Sequence, residues 1–390
     1  MMFHQKIDGT RIIFQPDILL LKFENGNMRS NRNLIKPVFY RFQWLFIIEF
    51  SFGLSLFVTA QNPDVNKKVS SYRIMFYNVE NLFDTDDDPD KRDDEFTPGG
   101  SRHWTNERLY TKLNNIYKVM MGVGKWEPPA IAGFCEVENA YVLQKLVYNT
   151  PLKNYDYGII HYDSPDNRGI DVAMIYRKAQ FTPLHTESVR VDFPGDSASK
   201  TRDILYVKGL IGDLEMIHIF FNHWPSRYGG YMDTQPKRNR AAEILKRKTD
   251  SLFTINPSVA ILIMGDFNDS PEDHSLAEVL KAVRPFSDSV QNRLYNLMLL
   301  PRADWTYGTL KFREYWDTFD QIIVSGGLLK GIFSLSVDPA QAKIFHDDFL
   351  LQQDERYLGQ KLFRTYSGFN YLGGFSDHLP VFLDVELKND

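Results

Sequence analysis

The chain has 390 residues, with 45 Lys and Arg against 50 Asp and Glu, a formal net charge of −5 and one cysteine. Hydrophobic residues make up 43% and charged residues 24%, the proportions of a globular protein, which excludes a disordered, collagenous or multispan membrane chain. Cys135 has no partner for an internal disulfide. The charge offers no general attraction to nucleic acid or acidic membranes, so an anionic substrate needs a local site.

The most apolar run is Trp44 to Ala60. It follows Arg29, Arg32, Lys36 and Arg41, has no acid between Met28 and Gln43 before it, and ends in Val58-Thr59-Ala60. This pattern predicts a cleavable export signal cut after Ala60, with translation starting at Met28. Glu49 inside the run counts against a retained membrane span, because a mid-membrane carboxylate costs about 2.5–3.5 kcal/mol. Residues 1–61 then form an N-terminal extension, residues 70–390 the working domain, and the mature protein is expected to be a periplasmic or secreted monomer without stable membrane insertion. Removing residues 1–61 leaves 38 basic and 46 acidic residues, a net charge of −8.

In chain order, apolar segments predict strands at 72–79, 131–135, 170–176, 203–210, 214–221, 260–265, 319–325 and 380–386. Thr105, with Glu107 in the first turn, opens a helix whose stripe is Leu109, Leu113, Ile116 and Met120 and which Gly122 is expected to end. In the 214–221 strand, Leu214, Met216, His218 and Phe220 share one face, and Ile217, Ile219 and Phe221 the other. Both faces are largely apolar, which predicts burial on two sides with His218 a core residue. A second helix is expected from Thr234 to about Phe253, with Pro236 in its first turn and Ala241, Ile244, Leu245 and Leu252 buried. Its basic run (Lys237, Arg238, Arg240, Lys246, Arg247, Lys248) reads as a solvated face. Ser270-Pro271 is expected to start a third helix. Helices flanking doubly buried strands imply a layered α/β fold. The acidic segment 84–95 reads as a solvated loop, since Pro89 stands where a calcium-binding loop needs glycine.

Polar residues interrupt the apolar strands at their ends: Asn78-Val79-Glu80-Asn81, Glu136-Val137-Glu138-Asn139, Asn222-His223-Trp224, Asp266-Phe267-Asn268-Asp269, and Ser376-Asp377-His378 before the last strand. Strand ends of layered α/β proteins are where sites are assembled. Carboxylates and amides are hard ligands suited to Mg²⁺ or Mn²⁺. A carboxylate can deprotonate water, and imidazoles can stabilise developing charge or protonate a leaving oxygen. No structural-zinc pattern, Gly-rich phosphate loop or G-x-S-x-G elbow occurs. Metal-assisted attack on phosphorus is the chemistry these residue types suit.

Asn78-Val79-Glu80, Phe134-Cys135-Glu136, Asn222-His223-Trp224, Gly265-Asp266-Phe267-Asn268, Phe319-Asp320-Gln321 and Ser376-Asp377-His378-Leu379-Pro380 occur in the order of the endonuclease/exonuclease/phosphatase superfamily, which residues 72–387 resemble. The resemblance implies a four-layer α/β sandwich, two mixed sheets face to face with helices outside, and a Mg²⁺-dependent phosphoesterase, with Mn²⁺ an alternative ion. It implies Glu136 as the principal metal ligand, with Glu80 and Asp377 metal-associated. Asn78 would orient the metal site or the phosphate. Asp266 would position or deprotonate water beside Asn268, with His378 the alternative base. His378 would contact phosphoryl oxygens with Asp320 orienting it, and His223 would act as general acid or phosphate contact. Asp171, after Arg168-Gly169, would bring a polar group to the phosphate, and Arg227 could supply a cation there. Cys135, where relatives often carry Gln, reads as packing. The substrate is a phosphate ester, with a nucleic-acid phosphodiester slightly favoured over a sugar, inositol or lipid monoester. A non-catalytic binding module on the same fold is the reading from another class.

Overall fold

The computed structural model describes residues 69–388, apart from 197, 287–289 and 302–305. The N-terminal extension and the expected export signal lie outside the described residues.

The strands in chain order are β1 (Val69–Leu82), β2 (Ile131–Val137), β3 (Tyr157–His161), β4 (Asp171–Arg177), β5 (Phe181–Val189), β6 (Ile204–Ile211), β7 (Glu215–His223), β8 (Ile261–Asp266), β9 (Leu294–Asn296), β10 (Leu310–Phe312), β11 (Tyr315–Asp317), β12 (Asp320–Ser325), β13 (Leu335–Val337), β14 (Lys343–Ile344), β15 (Leu351–Gln353), β16 (Gln360–Leu362), β17 (Tyr366–Ser367), β18 (Asn370–Tyr371) and β19 (Val381–Lys388). The helices are α1 (Asn106–Gly124), α2 (Ala140–Asn149), α3 (Tyr231–Ile255) and the short α4 (Gly326–Lys330). One mixed sheet runs β13-β19-β1-β2-β4-β3, with β14 also paired to β19; the other runs β5-β6-β7-β8-β12-β9. β10–β11, β15–β16 and β17–β18 are small hairpins.

The alternation in β7 explains the layering. Ile217, Ile219 and Phe221 join the large core between the sheets, while Phe220 joins a second core with Ala241, Ala242, Ile244 and Leu245 of α3. Phe221 lies 6.0 Å from Phe76 of β1, ring to ring. A Cβ on Gly133 of β2 would sit 2.2 Å from the Phe221 ring, so glycine is what lets the two sheets close here. This is the expected sandwich, with helices on the outer faces. No described helix is long and apolar enough to cross a membrane.

Several boundaries differ from the sequence reading. Gly122 lies within α1, which continues to Gly124 and is capped where Lys125 turns to φ 66° and its N–H returns to Met121. α3 starts at Tyr231 rather than Thr234, with Gly230 as N-cap. Pro271 opens a turn, and only a wide π-helical turn, Ser275–Leu280, follows. Leu214 precedes β7 and is exposed. Arg238 leaves the solvated face of α3 and is fully buried, its Nε 2.7 Å from Asp269 Oδ1. His218 is a satisfied core residue, its Nδ1 2.7 Å from the Tyr206 hydroxyl.

Candidate active site

β1 and β2 run parallel, as do β7 and β8, while β19 is antiparallel to β1 and β12 antiparallel to β8. The C-terminal ends of β1, β2, β7 and β8 therefore share one edge with the starts of β12 and β19. Two side-chain pairs join the sheets across that edge. Asn78 Nδ2 donates to Asp266 Oδ2 at 3.1 Å, and His378 Nδ1 lies 2.6 Å from Asp320 Oδ2.

Asp266 is the hub. Its Oδ1 accepts the Asn268 N–H at 3.0 Å, and its Oδ2 lies 3.6 Å from His223 Nε2 and 3.8 Å from His378 Nε2. Ser376 Oγ donates to the Asn78 carbonyl and accepts the His378 N–H, fixing the turn before β19 against β1. All of Asn78, His223, Asp266, Asp320 and His378 are buried.

Their environments drive the two imidazoles apart. Burial disfavours the charged form of His378, but Asp320 and Asp266 outweigh it and hold its pKa well above the ordinary value. Burial, reinforced by Arg202, Arg168 and His378, holds His223 well below. At neutral pH the site thus contains an imidazolium and a neutral imidazole. His223 Nδ1 and Asp320 Oδ1 are buried with no hydrogen-bond partner. Burial raises Asp266 to about 6, against the pull of His378 and with a push from Asp320.

A second group lies at the ends of β1 and β2. Glu136 sits at φ 61°, Glu80 at 51° and Asn81 at 58°, and Asn268 at the end of β8 also lies at 51°. Left-handed conformations in non-glycine residues cost free energy, and four of them at neighbouring strand ends mark a site where geometry outranks local comfort. Glu136 Oε2 accepts the Asn81 N–H at 3.0 Å, and no hydrogen bond engages its Oε1. Glu80 and Asp377, expected beside the metal, are gripped by Arg364. Its Nε and Nη2 donate to Glu80 Oε1 at 2.9 and 2.7 Å, and Nη2 donates to Asp377 Oδ2 at 2.8 Å. Glu80 Oε2 takes the Thr365 N–H. Buried Lys112 donates to Thr365 Oγ1 and the Phe375 carbonyl, and burial lowers it to about 8 despite the pull of Glu80, Asp377 and Glu136. Glu136 Oε1 and Asp377 Oδ1 each lack a hydrogen bond from another described residue, while both oxygens of Glu80 are taken, and of the two acids with an open oxygen only Glu136 is held by no cation. A hard, oxygen-only donor beside two cation-bound acids fits one divalent cation of the Mg²⁺ kind, which keeps several waters and takes few protein carboxylates.

The remaining expected residues lie at the margins. Asn268 turns its Nδ2 to the Trp224 carbonyl at 3.0 Å. Asp171 bonds His161 Nε2 at 3.0 Å and the Ser164 N–H at 2.8 Å, so it braces the loop carrying Arg168. The Arg227 guanidinium is taken by the Asn268 carbonyl, Asp269 and Asp273, and packs 4.5 Å over the Phe319 ring. Cys135 is fully buried, and burial pushes its thiol up, so it packs as a neutral side chain. Sequence reasoning missed Arg364, Lys112 and Arg202. Lys112 lies inside α1, and Arg202 and Arg364, although beside Asp203 and Thr365 at the edges of β6 and β17, are not the acids, amides or imidazoles that mark a metal site.

The endonuclease/exonuclease/phosphatase family model matches residues 73–387. A search of curated proteins finds no match. Among solved structures, an endonuclease/exonuclease/phosphatase family protein from Bacteroides thetaiotaomicron is similar at 15% identity and TM-score 0.51, covering 83% of this chain and 100% of that one. TDP2 of D. rerio complexed with single-strand DNA product is similar at 13% identity and TM-score 0.50, covering 81% and 99%. The human Nocturnin catalytic domain with bound sulfate reaches 17% and 0.49, covering 82% and 97%. The first two likenesses show the fold, and the family match adds the chemistry of metal-dependent phosphate-ester hydrolysis. The chain belongs to the endonuclease/exonuclease/phosphatase family.

Proposed function

We propose that the protein is an exported, Mg²⁺-dependent phosphodiesterase of the nuclease type. The observation that carries this reading is the opposed pair of imidazoles around Asp266, one charged and one neutral, next to the open carboxylate of Glu136.

The residues divide the work. Glu136 holds the cation, which when bound supplies Lewis-acid polarisation of a phosphate oxygen. Asp266, ionised above about pH 6, accepts a proton from the attacking water. Asn78 Nδ2 and the Asn268 N–H fix the two carboxylate oxygens so that the lone pair faces the reacting centre. His378, kept positive by Asp320, offsets charge gathering on the phosphoryl oxygens. His223, neutral and buried, donates or accepts a hydrogen bond there. Buried Asp320 orients His378 through a short bond and touches no substrate, a supporting role.

A phosphodiester is favoured because the D. rerio protein of this fold was solved with single-strand DNA product, and because Arg202 and Arg168 bring positive charge to His223. The test is turnover by purified protein on single-stranded oligonucleotide, plasmid DNA, inositol phosphates and sphingomyelin, each with Mg²⁺ and with chelator. Mg²⁺-dependent cleavage of the oligonucleotide supports the reading. Phosphate release from inositol phosphates alone moves it to a phosphomonoesterase. Absence of turnover on all four leaves the binding module.

A further inference from the structure

We infer that a basic cavity beside His223 binds a second phosphate group, so that the preferred substrate is a phosphodiester with a neighbouring phosphate; this rests on the phosphodiesterase reading above. The cavity, about 470 Å³, opens between the loop at 164–168, Phe193 with residues 199–202, and the turn from β7 into α3.

Four cations line it (Arg168, Lys200, Arg202 and Lys237), against one carboxylate, Asp166. On a chain of net charge −5 this is a marked local reversal. Asp166 is already engaged: it takes Arg202 Nη1 at 3.0 Å and the Arg168 N–H at 2.8 Å. Lys237 Nζ donates to Ser199 Oγ at 2.7 Å and makes only a long ion pair, 4.0 Å, with Asp196. A phosphate answers the charge, since it offers several anionic oxygens to ammonium and guanidinium donors at once.

The cavity connects to the reacting centre through Arg202, whose Nη2 donates to the carbonyl of Trp224, the residue after His223. At the rim Tyr228 is 93% exposed, a free ring face for the base or sugar between the two phosphates. A nucleotide strand, in which phosphates repeat along the chain, meets this requirement, and an isolated phosphodiester does not.

The test uses thymidylyl-thymidine with no terminal phosphate, with a 5′-phosphate and with a 3′-phosphate, hydrolysed in Mg²⁺ by wild type and by the double variant K200A/K237A. Both lysines lie outside the reacting centre. For wild type, one phosphorylated form should show a KM about tenfold below that of the unphosphorylated dinucleotide, the gain of one charge-assisted contact. K200A/K237A should erase that advantage and leave the unphosphorylated substrate within about twofold. No advantage from either terminal phosphate, or an equal loss on all three substrates, would overturn the subsite. Should none of the three be hydrolysed, the phosphodiesterase reading fails. Calorimetric titration of inorganic pyrophosphate in chelator then decides the subsite: about tenfold weaker binding to K200A/K237A upholds it, and equal binding overturns it.

Discussion

His378, in the turn before β19, and Asp320, at the start of β12, lie 58 residues apart in sequence and face each other with Nδ1 and Oδ2 2.6 Å apart, both buried. The pair joins the two sheets at the site and keeps an imidazolium where water is excluded. Asp320→Asn keeps the shape and removes the charge. We expect kcat to fall about 10²-fold or more with little change in KM, the scale on which a positioned proton-transfer or charge-bearing group acts. NMR of the His378 ring should show its pKa falling toward the ordinary range in the variant. An unshifted titration would contradict the assigned role.

The pH dependence follows from the same groups. Asp266 titrates near 6 because burial favours its neutral form, so kcat/KM should rise through pH 6 as the base ionises. The stability contributions have definite signs. His378 binds its proton more tightly folded than unfolded, so its contribution is complete below the unfolded value of about 6.5 and is lost as pH rises through the higher folded value. Asp266 also holds its proton more tightly when folded, so it stabilises the fold as pH drops from about 6 toward its unfolded value of about 4. Denaturant titrations of wild type and D320N between pH 5 and 9 check this. Wild type should lose more stability than D320N as the pH rises.

Arg364→Gln strips the guanidinium from Glu80 and Asp377. Three hydrogen bonds to charged acceptors are lost, but the side chain is 43% exposed, which limits the cost to about 1–2 kcal/mol. With two acids released, a divalent ion should bind more tightly. Thermal melts in chelator should show the variant below wild type, and Mg²⁺ should raise it by more than it raises wild type.

Arg227 supplies the contrasting case. Its guanidinium ties the Asn268 carbonyl to Asp269 and Asp273. Arg227→Ala should lower Tm and loosen the β8 loop, with kcat affected more than KM, because Asn268 shifts while no phosphate contact is lost. A rise in KM alone would return Arg227 to the substrate.

The strands were legible because β7 and β8 are long apolar runs, and the site was legible because each run stops at a carboxylate, amide or imidazole. Asn139 shows the limit of that signal. It stands in such an end, yet its side chain accepts from the Tyr141 and Val142 N–H groups and caps α2, a helix the polar cluster concealed. Gly122 misled because the helix end depends on Lys125 adopting φ 66°, which no residue type announces. Arg364 was invisible for a different reason. Its partner Glu80 lies 284 residues away, so only the closing of β19 against β1 brings the charges together. Glu80 and Asp377 showed an acid's preference for a cation, and the fold places a guanidinium there.

The central claim is that Glu136, at the end of β2, and His378, in the turn before β19, carry phosphodiester hydrolysis together. Its most direct test is kcat/KM on a single-stranded oligonucleotide in Mg²⁺ for wild type, Glu136→Gln and His378→Ala, with folding verified by circular dichroism. The account predicts Mg²⁺-dependent cleavage by wild type and a loss of about 10³-fold or more in each folded variant. Activity retained within about tenfold in both folded variants would contradict it.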